Sequence, residues 1–177
     1  VLGLDRDKIA EACRGAAEAG QVQVANLNAP GQTVIAGTTA GVSRAVELCK
    51  AAGAKRAVLL PVSAPFHSAL LAPAARRLET VLAGVPFSDL AVPLVTNVDA
   101  EPLTQGGRVP EALVRQVTSA VRWEEVVLRL SREGVERFVE VGPGKVLSGL
   151  IKRICPEARI CNVEDRASLE KSLEVLR

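Results

Sequence analysis

The only histidine of this sequence, His67, is its best candidate for proton transfer, since imidazole titrates near neutral pH and can accept a hydroxyl proton. It lies in residues 61–68, after a predicted strand and before a predicted helix. Such a junction tends to expose side chains to a cleft. A lone histidine is equally at home on a surface or in a core, so the position leaves both roles open.

Two turns are the other places where chemistry could occur. Residues 28–32 are interpreted as a hairpin turn, with Asn28 and Gly31 supplying permissive backbone geometry. Residues 140–145 follow a strand and open a helix, but they lack the extra glycines and the Lys-Ser/Thr pair of a phosphate-binding loop. We interpret them as a tight strand-to-helix turn. No metal site is expected, because the four cysteines and the single histidine are widely scattered.

The overall composition excludes several classes of function. With 22 basic and 20 acidic residues, the net charge of +2 gives no global case for nucleic-acid binding. No run approaches the ~20 apolar residues of a membrane helix, and without a basic stretch followed by an apolar one at the start, no signal peptide is expected. The cysteines are interpreted as small buried residues in a reducing compartment, and a cytoplasmic location is expected. The opening apolar run, residues 1–4, suggests a strand already in progress and hence a fragment.

The first sixty residues alternate in the order β-α-β-β-α-β. Helical spacing of apolar residues follows Asp5 and recurs after a Thr38-Thr39 cap. The two middle strands, 22–27 and 32–37, should pair as an antiparallel hairpin. This order predicts a ferredoxin-like subdomain, with its outer strands at 1–4 and 57–60.

The remaining residues predict an α/β layer. Strands are expected at 93–98 and 138–141, both apolar on both faces like central parallel strands that need neighbours on each side. A Gly/Pro-rich loop covers 99–110. Two or three strands are too few for a self-sufficient sheet. Helices are expected at 68–82, 110–117, 123–132 and 146–151.

Several segments together resemble the malonyl-CoA:acyl-carrier-protein transacylase family. The segments are the hairpin 26–37, the run 53–57 that leads to 61–63 and His67, residues 112–116, and residues 140–147. Their order and spacing agree with the family over essentially all 177 residues.

The resemblance implies acyl transfer through a serine in a G-x-S-x-G elbow, from malonyl-CoA to the phosphopantetheine thiol of acyl carrier protein. No bound cofactor is implied. His67 corresponds to the family's catalytic histidine, and Gln116 to the residue whose backbone carbonyl orients that imidazole. Asn28 is a candidate substrate contact. Phe66, beside the histidine, favours malonyl over methylmalonyl in related domains, although it could equally be a core residue.

One part of the family pattern is absent, because no G-x-S-x-G occurs in the sequence. The resemblance places that serine, an arginine for the malonyl carboxylate and the oxyanion-hole amides in a segment upstream. The fold expected here is therefore a ferredoxin-like inserted subdomain, residues 1–62, followed by the C-terminal part of an α/β-hydrolase-like acyltransferase domain, residues 63–177. We expect this chain on its own to be inactive and poorly stable.

Two basic pairs, Lys55-Arg56 and Lys152-Arg153, align with basic positions of the family. Paired cations near a cleft would steer an acidic acyl carrier protein, although ordinary solvated charge explains them equally well. Neither a nucleic-acid partner nor a membrane is expected. Two other functions stay open: a non-catalytic ferredoxin-like binding module and a serine-dependent thioesterase. The thioesterase is the weaker of these, since residues 112–116 resemble transacylases.

Overall fold

A hairpin flanked by two helices forms the first part of the computed structural model, which describes residues 1–176 apart from the side chain of Val175. Helix α1 (Arg6–Gly15) begins where the Asp5 carboxylate accepts the Asp7 N–H at 2.9 Å. Strands β1 (Val22–Ala29) and β2 (Gln32–Gly37) pair antiparallel, as predicted, and α2 (Thr39–Ala51) follows.

The core of this part is small and aliphatic, as expected of a sequence with 2% aromatic residues. Leu4, Ile9 and Cys13 cluster with Cys49 of α2, and Val22 and Val24 of β1 pack against them. Burial and the neighbouring Cys49 raise the pKa of Cys13 to about 11. Three of the four cysteines are buried as predicted, whereas Cys155 is half-buried.

The predicted outer strands are much reduced. Leu2 alone makes antiparallel bridges, to Gln32 on one side and to Arg56 on the other. The predicted strand at 57–60 is wrong: these residues form no ladder, because the antiparallel register that sets Leu2 opposite Arg56 leaves only Val1 to face them. The side chains of Val58, Leu59 and Leu60 are consequently exposed.

Residues 69–118 supply two packed helices and a short hairpin. A 3-10 turn (Ala69–Leu71) leads into α3 (Ala72–Leu82), which packs on α4 (Val109–Thr118). Strands β3 (Leu94–Val95) and β4 (Pro102–Leu103) pair antiparallel. The expected buried parallel strand at 93–98 is therefore wrong: the chain turns back at once, and Leu94 is 49% exposed.

The chain divides into two compact units, Val1–Trp123 and Glu124–Arg177. The predicted boundary near residue 62 lies inside the first unit and stays a prediction. Helix α5 (Trp123–Arg132) begins at the last residue of the first unit, and its other residues belong to the second. The second unit continues with β5 (Arg137–Val141), α6 (Val146–Ile154), β6 (Arg159–Val163) and α7 (Arg166–Leu176). Strands β5 and β6 pair parallel, and the prediction missed β6 and α7.

Within residues 1–176, no helix has the length and apolar character that crossing a membrane demands.

Candidate active site

His67 sits at the turn between the irregular segment 57–66 and the 3-10 turn that precedes α3. Its φ is +58°, in the left-handed region that residues other than glycine seldom adopt. Such a backbone costs about 1–3 kcal/mol and persists only where neighbours hold it. Part of the support is local, since the buried Ser68 hydroxyl donates to the Pro65 carbonyl at 2.7 Å.

The half-buried His67 imidazole contacts the end of α4. Its Nδ1 lies 3.0 Å from the Gln116 backbone oxygen, so the predicted contact between these residues is present. Gln116 is in the last turn of α4, where carbonyls lack partners within the helix. A carbonyl can only accept, so Nδ1 carries the hydrogen and Nε2 presents a lone pair. The arrangement can therefore hold a neutral imidazole ready to take a proton.

Two polar side chains that the sequence did not single out support this pair. The Asn97 amide donates to Gln116 Oε1 at 3.2 Å, and the Arg122 N–H in turn binds the Asn97 carbonyl at 2.9 Å. Gln23, on β1, contacts the backbone of His67 and of Thr118. A polar residue between Val22 and Val24 could have been noticed, because strand alternation turns it away from the α1–α2 core. Asn97 had no comparable sequence pattern.

Asn28 and Phe66 line one open groove, with a volume of about 780 Å³. Its wall includes Val58, Leu59 and Leu60 from the irregular segment 57–66. Phe66 is 52% exposed, which rules out the alternative that it is a core residue of this chain. The contact of either residue with substrate stays a prediction.

The two basic pairs belong to different units. Lys55 and Arg56 are exposed in the first, where the Lys55 stem lies against Gly3 and the Arg56 carbonyl accepts the Leu2 N–H. Lys152 and Arg153 are exposed in the last turn of α6, and the Lys152 ammonium donates to the Pro156 carbonyl. Their role in carrier-protein docking stays a prediction.

The turn at 142–144 leads into a helix whose first N–H groups already bind a carboxylate, that of Glu140, and so are not available to an anion. The Glu140 carboxylate accepts the Leu147 N–H at 3.0 Å and both the N–H and the hydroxyl of Ser148 at 2.7 and 2.6 Å. Burial would raise the Glu140 pKa, but these hydrogen bonds outweigh it and the pKa lies below its ordinary value. The carboxylate thus occupies the N-terminus of α6, where a phosphate would bind.

In the described part of the chain, no group of three or more His, Cys, Asp or Glu could hold a metal ion.

Comparison with known families matches residues 3–168 to the acyl transferase domain. The chain belongs to the acyl transferase domain family. It is 44% identical to the malonyl CoA-acyl carrier protein transacylase of Bacillus subtilis, an alignment that covers 100% of the chain and 56% of that relative. The chain thus spans little more than half the length of such relatives.

Comparison with solved structures also shows that this chain is similar to malonyl transacylases. The acyl-carrier-protein S-malonyltransferase of Burkholderia pseudomallei superposes with a TM-score of 0.94 and 47% identity, over 98% of this chain and 56% of that one. A malonyl-transacylase in complex with a type II PKS acyl-carrier protein gives a TM-score of 0.95 and 45% identity, over 99% and 57%. The α/β fold is therefore that of the malonyl-transacylases.

Proposed function

We propose that this chain supplies the general base of a malonyl transfer from malonyl-CoA to the phosphopantetheine thiol of acyl carrier protein. The observation that carries the proposal is the 3.0 Å contact between His67 Nδ1 and the Gln116 carbonyl, which leaves Nε2 free to accept a proton. The relatives named as malonyl CoA-acyl carrier protein transacylases support the choice of substrates.

In the first half-reaction, a serine hydroxyl attacks the malonyl thioester carbonyl while His67 Nε2 takes the serine proton. The C–S bond then breaks, and the coenzyme A sulfur leaves with that proton. In the second, the carrier-protein thiol attacks the acyl-serine and gives its proton to Nε2, which returns it to the serine oxygen. His67 thus ends each half-reaction neutral, and no cofactor is consumed.

The orienting group is a carbonyl, which stabilises the imidazolium less than the buried carboxylate of a Ser-His-Asp triad does. The positive charge on His67 is therefore short-lived, which suits a base that must return its proton in each half-reaction. The serine itself must come from a segment outside these 177 residues, since no G-x-S-x-G is present among them.

We assign residues 1–62 to a ferredoxin-like inserted subdomain and 63–177 to the C-terminal part of the larger acyltransferase domain. The order of backbone pairing supports this assignment, since Arg56, Leu2 and β2 lie side by side and β2 pairs with β1. That order is 4-1-3-2 when the four segments are numbered along the chain.

The groove lined by Asn28 and Phe66 is the proposed site for the acyl group. Phe66 is exposed beside His67, where its ring could fill the space that an α-methyl group needs, and this supports malonyl as the substrate. Lys55, Arg56, Lys152 and Arg153 are the proposed docking residues for an acidic carrier protein, and a similar transacylase is known in complex with one.

The test joins this chain to a serine-bearing segment of a relative and follows labelled malonyl from malonyl-CoA to holo acyl carrier protein. His67→Ala should lower transfer by about a hundredfold or more, as loss of a general base does. The exposed Gln21→Leu variant is the control. Wild-type rates in His67→Ala would exclude His67 from the reaction, and free malonate as the main product would identify a thioesterase. The unjoined chain should take up no label.

A further inference from the structure

The Gln23 side chain ties together the two backbone segments that carry His67 and Gln116. Its Nε2 donates to the His67 carbonyl and to the Thr118 carbonyl, each at 3.3 Å, and its Oε1 accepts the Ala69 N–H at 3.0 Å. One amide group thus uses both of its N–H hydrogens and its oxygen on backbone atoms. Such a pattern fixes backbone positions and leaves the amide little capacity to bind anything else.

These contacts lie on both sides of the His67–Gln116 hydrogen bond. His67 O and Ala69 N flank the residue whose backbone is left-handed, at φ +58°. Thr118 is two residues beyond Gln116, at the end of the same helix. Gln23 therefore holds the turn that presents the imidazole and the helix end that presents its acceptor.

The strand that carries Gln23 is itself hydrogen-bonded to the segment that follows α4. The Leu27 N–H binds the Val121 carbonyl at 2.8 Å, and the Val121 N–H binds the Ala25 carbonyl at 2.9 Å. Across the hairpin, Gln23 pairs with Ala36 of β2. The Gln23 amide is therefore carried by a strand that is already hydrogen-bonded to the segment after α4 and to β2.

We propose that Gln23 is a positioning residue: it keeps His67 in its left-handed turn against the Gln116 carbonyl, and so maintains the tautomer with hydrogen on Nδ1. The catalytic consequence rests on the proposed function, whereas the effect on the tautomer does not. Glutamine has the length and the two donors that this position uses. Glutamate keeps the acceptor for Ala69 but loses both donors and sets a negative charge against two carbonyls, and leucine loses all three contacts.

Because His67 is the only histidine, ¹⁵N NMR of the 177-residue chain reports its tautomer without ambiguity. The wild-type chain should hold hydrogen on Nδ1 at mildly alkaline pH. In Gln23→Leu and Gln23→Glu, the ratio of Nδ1–H to Nε2–H should fall about fivefold, as expected for loss of one net hydrogen bond. Gln21→Leu, the same change two residues earlier at an exposed position, should keep the wild-type ratio.

An unchanged ratio in a folded Gln23→Leu or Gln23→Glu chain would overturn the proposal, and so would an equal change in Gln21→Leu. Should both Gln23 variants fail to fold, hydrogen exchange in the wild-type chain decides. The Ala69 amide should be protected although its residue is exposed, because Gln23 Oε1 accepts its hydrogen. Exchange at the rate of an open loop would overturn the assignment.

Activity provides an independent measurement. In the joined enzyme, Gln23→Glu should lower kcat by about tenfold, because a misaligned base costs rate, and should leave KM for malonyl-CoA close to wild type. An unchanged kcat, or a rise in KM alone, would count against a positioning role. If the wild-type enzyme transfers no malonyl group, the proposed function fails, and the NMR experiment on the chain still decides the role of Gln23.

Discussion

His67 Nδ1 lies 3.0 Å from the Gln116 carbonyl oxygen, although the two residues are 49 positions apart in the chain. The carbonyl belongs to the last helical turn of α4, so it has no partner within the helix and would otherwise need a solvent molecule or a capping group. The same hydrogen bond therefore satisfies a helix end and orients a histidine. Since the acceptor is a main-chain atom, any residue that preserves the end of α4 can provide it.

This relationship separates the effects of two alanine variants. Gln116→Ala keeps the backbone carbonyl and loses only the 3.2 Å hydrogen bond between the Gln116 side chain and Asn97. Because the atom that orients His67 is kept, malonyl transfer in the joined enzyme should fall by less than about tenfold. His67→Ala should cost at least about a hundredfold. Equal losses of activity in steady-state assays of the two variants would show that the Gln116 side chain, and not its carbonyl, orients His67.

The left-handed backbone at residue 67 predicts an effect on stability that is separate from catalysis. Glycine adopts φ +58° without the Cβ clash, so His67→Gly should be more stable than His67→Ala by about 1 kcal/mol. Urea unfolding followed by the single tryptophan, Trp123, measures the difference in the first unit. As a control, Ala52→Gly, at a residue with φ −79°, should show no gain over the parent. Alanine as stable as glycine at position 67 would mean that the turn is relaxed in solution.

The sequence correctly predicted those helices and strands that a few neighbouring residues are enough to define. The hairpin follows from alternating strands around a Pro-Gly turn, and α5 from its apolar spacing. Strand β6 was missed because Ile160 and Cys161 form too short an apolar run. Helix α7 had a cap that could have been noticed: at its start the Ser168 N–H donates to the Asp165 carboxylate, and the Asp165 N–H donates to the Ser168 hydroxyl.

The candidate site was predictable only in part. His67 and Gln116 came from family resemblance, since nothing local marks a carbonyl as an acceptor for a residue 49 positions away. Gln23 and Asn97 act on backbone and side-chain atoms that only the folded chain brings near. The strands predicted at 57–60 and 93–98 both relied on apolar runs, which indicate burial, although a strand also requires a partner backbone. The described chain pairs none with 57–60, and at 93–98 it pairs only Leu94–Val95, with β4.

The Glu140 carboxylate makes the second unit sensitive to acid. Its folded pKa is lowered, so the stabilisation is fully present above the ordinary glutamate pKa of about 4.3 and disappears as the pH falls through the lower folded value. The protection of the Leu147 amide from hydrogen exchange, measured relative to the intrinsic rate at each pH, should fall over that range. Glu140→Gln should exchange faster at neutral pH and lose most of this acid dependence. Glu136→Gln, at an exposed residue on the same unit, should behave as wild type.

The apolar groove of the first unit predicts that the isolated chain associates with itself. Leu59 is 70% exposed and Val62 62% exposed, and both line the groove that also contains Phe66. Apolar surface of this kind is a site of protein association or aggregation. The double variant Leu59→Lys/Val62→Lys should lower binding of a hydrophobic dye by roughly twofold and shift sedimentation towards the monomer.

The double variant also changes the net charge of the chain. Gln21→Lys combined with Thr80→Lys, both exposed in the same unit, is therefore the matched control and should leave dye binding unchanged. A similar reduction in that control would mean that charge repulsion, and not the groove, governs association. A monomeric wild-type chain that binds no dye would show that the groove closes in solution.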